Sequence, residues 1–126
     1  MLRKQTMKTI ALVAHDGKKA DLLQFVNDNR QKLSRCSLVG TKTTGMLIKE
    51  KVGLKVQCFL SGPKGGDAQI AALVAEGKAD AVIFIIDPLN AHPHDPDIHT
   101  LMRVCNVHNV PLATNIATAQ LIIKTL

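Results

Sequence analysis

The sequence predicts an α/β fold: one domain, residues 1–126, with a doubly wound, parallel, five-stranded sheet and helices on both faces. Three observations predict it. Apolar runs such as Thr9 to Ala14 (TIALVA) and Ala81 to Ile86 (AVIFII) are continuous, as strands buried on both faces must be. Segments with helical apolar spacing alternate with such runs. The polar, Gly-rich and Pro-rich stretches fall between a strand and the helix that follows it. Alternation of this kind argues for a parallel sheet.

The elements follow in order. Thr9 to Ala14 is the first strand. Lys18 to Asn29 is helical, with Leu22, Leu23, Phe25 and Val26 on its apolar face. Ser37 to Val39 is a short strand, and Thr44 to Lys51 a helix that Gly53 ends. Val56 to Leu60 is the third strand, and Asp67 to Glu76 a helix stopped by Gly77. Ala81 to Ile86 is the fourth strand. Asp97 to His108 is helical, Val110 to Ala113 is a strand, and Ala117 to Thr125 is the last helix.

Composition narrows the partners. Hydrophobic residues make up 46% of the chain, enough for a packed interior, while aromatics make up 2% with no Trp or Tyr. The core is therefore aliphatic, and the stacking platforms of single-strand nucleic-acid binders are missing. The net charge of +6 attracts anions. The basic residues are dispersed, the densest cluster being Arg3, Lys4 and Lys8. Small anions fit better than nucleic acid. Cys36, Cys58 and Cys105 are odd in number and lack CxxC spacing, which suggests thiols in a reducing compartment. The first apolar run is too short to span a membrane and lacks a cleavage pattern, so a cytoplasmic protein is expected.

In such sheets the ligand sits beyond the carboxyl ends of the strands. His15-Asp16, Gly40 to Gly45, Ser61 to Asp67, Asp87 to Asp97 and Thr114-Asn115 lie there. Thr41-Lys42-Thr43-Thr44-Gly45 offers hydroxyls, an ammonium and a helix start, which together suit a phosphate. Thr43 or Thr44 as a simple helix cap is the plainer account of the same residues. Ser61 to Gly66 is a second cradle, although it matches neither a Walker A loop nor GxGxxG. Asp67 is an expected helix N-cap and equally a candidate general base. His92 to His99 (HPHDPDIH) is rich in metal-binding residue types but has no recognised ligand spacing. A helix start at Asp95-Pro96, with a catalytic histidine, is preferred to a metal site. Lys19 becomes a phosphate partner once these loops are brought together.

These segments also carry a resemblance. ALVAHD, TxTTG, SGPxGGD, IDPLxAxPHDPD and PLATNxATA occur in order from about Ile10 to Ile122. Each is weak alone, but the ordered set is similar to methylglyoxal synthase. That resemblance implies conversion of dihydroxyacetone phosphate to methylglyoxal and inorganic phosphate, with no metal or organic cofactor. It implies Asp67 as the base, His94 as the hydrogen-bonding partner of the substrate oxygens, and Asp97 as a second carboxylate near the reacting carbons. His15, Lys19, Thr41, Thr43, Thr44, Ser61 and Gly62 match substrate-binding positions, mostly around the phosphate. Lys42 is counted with these substrate-binding residues, at a position where the family usually has glycine. Asp16 and Asp87 match supporting polar residues. A homohexamer and inhibition by phosphate are expected on the same ground. The alternative is a non-catalytic, small-anion-binding module resembling the regulatory domain of carbamoyl-phosphate synthetases. Asp67, His94 and Asp97 argue against it, since a sensor does not need them.

Overall fold

The first apolar run forms β1 (Thr9–Ala14), with Ile10 to Ala14 completely buried. The computed structural model describes residues 7–89 and 98–126. A 3-10 turn (Asp16–Lys18) leads into α1 (Lys19–Asp28), and a short α2 (Arg30–Leu33) follows. Then come β2 (Ser37–Gly40), α3 (Lys42–Lys51) and β3 (Gln57–Cys58). A second 3-10 turn (Gly62–Lys64) precedes α4 (Gly66–Ala75) and β4 (Ala81–Ile85). The chain finishes with α5 (Ile98–His108), β5 (Leu112–Ala113) and α6 (Ile116–Lys124).

All pairings are parallel, and the strand order is β3-β2-β1-β4-β5. This is the expected doubly wound sheet. The chain moves outward from β1 to β3 and then crosses back to place β4 beside β1. The order reverses between β1 and β4, and such a switch point opens a crevice beyond the strand ends.

The alternating side chains of the buried strands face two separate cores. Ile10, Leu12, Leu38, Ile83 and Ile85 pack with Leu22, Phe25 and Val26 of α1, Ile48 of α3 and Ile123 of α6. Ala11, Val13, Val39, Val82 and Phe84 pack with Ile70, Ala71 and Val74 of α4 and Leu101 and Cys105 of α5. Helices thus cover both faces, as the continuous apolar runs require. Burial pushes the Cys105 thiol above its ordinary range, and burial does the same to Cys36. None of the helices is long and apolar enough to cross a membrane among the described residues.

Several expected boundaries move. The predicted strand Val56 to Leu60 contracts to Gln57–Cys58. Among the described residues β3 is an edge strand with β2 as its only neighbour, and its end is drawn toward α4, where Leu60 N–H donates to Gln69 Oε1 at 2.8 Å. The predicted helix from Thr44 starts instead at Lys42, because Thr41 takes the extended cap conformation. The expected helix after Ser61 to Gly66 begins at Gly66 with Gly65 at the cap, so Asp67 is its second residue and not its N-cap. Asn109, at φ 56°, ends α5 in the left-handed region, and β5 begins at Leu112 where Val110 was expected. α2 was not anticipated; its four residues are too few for periodicity to register.

Candidate active site

Three adjacent strands leave the sheet in the same way. His15 after β1 has φ −61° and ψ 156°, Thr41 after β2 has −65° and 160°, and Ser61 after β3 has −61° and 155°. Each extended residue is followed at once by a helical turn. Yet none of the three side chains makes a capping hydrogen bond. First-turn amides have no acceptor within their own helix, and anions are drawn to them. The Thr41 and Ser61 hydroxyls therefore keep hydrogen-bonding capacity for partners outside their own turns. Since β1, β2 and β3 are neighbours, the three turns share one rim.

His15 is the most firmly oriented of these residues. Its Nδ1 accepts the backbone N–H of Asp87 at 3.0 Å, across the switch point between β1 and β4. A nitrogen that accepts carries no proton, so the neutral ring bears its hydrogen on Nε2. The edge-to-face Phe84 ring, 5.3 Å away, holds the plane of the imidazole. Only 5% of His15 is exposed. The Asp87 carboxylate accepts from Leu89 N–H at 3.1 Å and lies against Gly17, where any side chain would collide with it.

Lys19 returns its ammonium to the end of β1, donating to the Ala14 carbonyl at 2.9 Å and to Asp16 Oδ1 at 2.9 Å. The lysine side chain is 15% exposed and that of Asp16 63% exposed. Asp16 is thus an outer brace for a largely buried cation. Among the described residues two of its three ammonium donors are used, which leaves one for an anion.

The α3 turn supplies a buried hydroxyl pair. Thr41 and Thr44 are 3% and 2% exposed, while Thr43 and Lys42 face outward. Thr44 Oγ1 is buried and has no hydrogen-bond partner among the described residues. An orphaned buried hydroxyl costs about 1–3 kcal/mol unless something meets it. Thr43 and Thr44 do not act as caps, contrary to the plainer expectation, because they sit inside the first turn.

The β3–α4 loop closes the arrangement. Gly66 N–H donates to Ser61 O at 2.9 Å, and Gly65 N–H to Gly62 O at 3.1 Å. Gly65 has φ 109°, which other residues rarely adopt. A side chain at Gly66 would run into the Leu60 carbonyl. The two glycines therefore fold the loop back on itself and set Asp67 in the first turn of α4. Its carboxylate is half-buried, and Oδ1 accepts from Ala68 N–H at 3.0 Å.

Comparisons with known proteins identify the family. A family model described as an MGS-like domain matches residues 21–114. Methylglyoxal synthase from Ralstonia nicotianae is 53% identical over 119 residues, covering 94% of this chain and 88% of that protein. Methylglyoxal synthase from Clostridium beijerinckii is 56% identical over 115 residues, covering 91% and 97%. The crystal structure of methylglyoxal synthase from Elizabethkingia anophelis superposes with a TM-score of 0.91 at 47% identity, covering 93% of this chain and 77% of that one. The chain belongs to the methylglyoxal synthase family.

Within a methylglyoxal synthase fold, the sequence-derived site residues fall into two groups. His15, Asp16, Lys19, Thr41, Lys42, Thr43, Thr44, Ser61, Gly62, Asp67 and Asp87 all lie on or beside the strand exits just described. His94 and Asp97 lie outside the described residues, as does most of the histidine-rich segment considered for metal. Lys42 has ordinary helical backbone: positive φ among the described residues is confined to Asn109, Gly53, Gly65 and Gly77. A side chain at this position therefore causes no backbone strain. Sequence reasoning missed Phe84 and Gly17 as parts of the site. Phe84 was the more accessible of the two, being one of three phenylalanines in a chain almost without aromatics.

Proposed function

We propose that the protein is a methylglyoxal synthase, a lyase that converts dihydroxyacetone phosphate to methylglyoxal and inorganic phosphate. The observation that carries this reading is the convergence of three uncapped helical turns on one rim, with the Asp67 carboxylate in the next turn of the same loop system. Phosphate needs donors, and proton abstraction needs a base; the rim supplies both.

In this reading Lys19, the hydroxyls of Thr41, Thr43, Thr44 and Ser61, and the amides around Gly62 hold the phosphate. Asp67 takes a proton from the hydroxymethyl carbon. The electron pair left behind forms an enediolate, and donors facing the oxygen stabilise its charge. His15 Nε2–H is oriented for such a role, and His94 is assigned it by family resemblance, with Asp97 as a second carboxylate. Cleavage of the C–O bond sends its electrons out with the phosphate as the terminal hydroxyl gives up its proton to become the aldehyde, and the remaining enolate is protonated on carbon to give methylglyoxal. Asp16 and Asp87 brace Lys19 and His15. The reading requires no cofactor.

A homohexamer, a cytoplasmic location and inhibition by product phosphate belong to the same proposal. Light scattering on the purified protein tests the oligomer. The function is tested by incubating the protein with dihydroxyacetone phosphate and assaying methylglyoxal and phosphate together. Equal amounts of both, above the uncatalysed background, are expected. Phosphate binding with no product would instead mark a binding module.

A further inference from the structure

Lys42, like Lys64 of the Ser61 turn and unlike Lys18 and Lys19, has no salt bridge among the described residues. The Lys18 ammonium lies 3.4 Å from Asp21 Oδ2, and Lys19 lies 2.9 Å from Asp16. Among the described residues no carboxylate meets Lys42, and its side chain is exposed. It is also the first residue of α3, the end where the helix dipole is positive. A cation is unfavourable there on its own. The fold of the chain by itself gains nothing from this lysine.

Its position supplies a reason. The Lys42 backbone N–H points to the Leu60 carbonyl at 3.4 Å, one residue before the Ser61 turn. Lys42 thus stands where the α3 turn and the Ser61 turn meet. Two residues further along α3 is Thr44, whose buried Oγ1 has no partner among the described residues. An anion received by these turns would reverse the sign of the local balance: the ammonium and the helix end would then act together on it.

We infer that Lys42 strengthens binding of the phosphate dianion from the mouth of the site, and so sets how strongly released phosphate competes with substrate. This rests on reading the rim as a phosphate site, and it adds a residue that works through long-range charge. It predicts a signature that hydrogen bonds lack, namely strong screening by salt.

The test uses the full-length protein with Lys42→Gln and Lys42→Glu, titrated with inorganic phosphate by calorimetry and assayed for turnover. Both are run at about 0.01 M and about 1 M ionic strength, where the screening lengths are about 30 Å and 3 Å. Glu is well tolerated at a helix start, so a loss in that variant does not come from unfolding. Lys124→Gln, at the last residue of α6, controls for net charge. At low salt, Lys42→Gln is expected to weaken phosphate binding about three- to tenfold and Lys42→Glu further, with the product-inhibition constant moving in parallel. At high salt the variants converge on the parent, and Lys124→Gln behaves as the parent throughout. Unchanged phosphate affinity at low salt overturns the inference, and so does a loss that persists at high salt. If the parent binds phosphate but makes no methylglyoxal, the enzymatic reading fails while the titration still decides the role of Lys42.

Discussion

The two halves of the strand-end rim are built from similar parts used differently. On one side, β1, β2 and β3 end in His15, Thr41 and Ser61, whose side chains leave the following turns uncapped. On the other side, β5 ends in Asn115, whose Oδ1 accepts Thr118 N–H at 2.8 Å and closes the start of α6. A capped turn is satisfied and contributes stability. An uncapped turn gives up that contribution and keeps donors for a ligand. Residue type alone does not separate the halves, since Thr, Ser and Asn all cap helices well.

Substitutions in the two halves should therefore fail in different ways. The largest effect is expected at Asp67. Asp67→Asn keeps the shape of the loop but removes the base, so turnover should fall about 10²- to 10⁴-fold. Phosphate affinity and thermal stability should hold. Loss of phosphate binding with turnover intact would refute the role given to this carboxylate.

Next comes Thr44→Val. Its hydroxyl has no partner to lose in the described structure, so the melting temperature should stay level or rise slightly. Phosphate affinity should drop about tenfold, as for one lost hydrogen bond to a charged group. Calorimetry beside a thermal melt reads both quantities. A clear loss of stability would mean that the hydroxyl is structural and would erase the contrast drawn above.

Asn115→Ala should show the reverse pattern. Stability should fall by about 1 kcal/mol through loss of the cap, while KM and phosphate affinity hold. Denaturant titration with steady-state kinetics would show it. A rise in KM without loss of stability would place Asn115 in the functional half.

The smallest effect concerns alkaline stability, in a core remote from both kinds of turn. Cys105 holds its proton more tightly when folded than when unfolded. The folded state thus binds more protons once the pH passes the ordinary thiol range, and stability declines as pH rises further. Cys105→Ala should lessen that alkaline decline, at the cost of a small cavity. Melting curves on either side of the thiol range would measure it; an unchanged slope would count against the thiol as the source.

Much of this was legible in the chain before folding. TIALVA and AVIFII announced strands covered on both faces, because a buried parallel strand has no polar side to show. The turn residues between them marked the rim, and Asp67, Thr41 and Ser61 were singled out by type and order. What misled was local. Asp67 is a strong N-cap by type, yet Gly65 takes the cap because its positive φ lets the loop reverse earlier. Val56 to Leu60 reads as a full strand, yet an edge strand with one neighbour pairs over two residues.

The sequence by itself thus determined the fold class, the family and the set of polar residues at the strand ends, since these follow from periodicity, turn chemistry and motif order. Only the tertiary structure decided which strand-end side chains cap a helix, as Asn115 does, and which, like Thr41 and Ser61, do not. It also decided that Asp87 orients His15 by a backbone amide, and that Lys42 has ordinary helical φ with no acidic partner among the described residues. Those outcomes depend on how separate loops meet at the switch point between β1 and β4, and no local stretch of sequence contains that meeting.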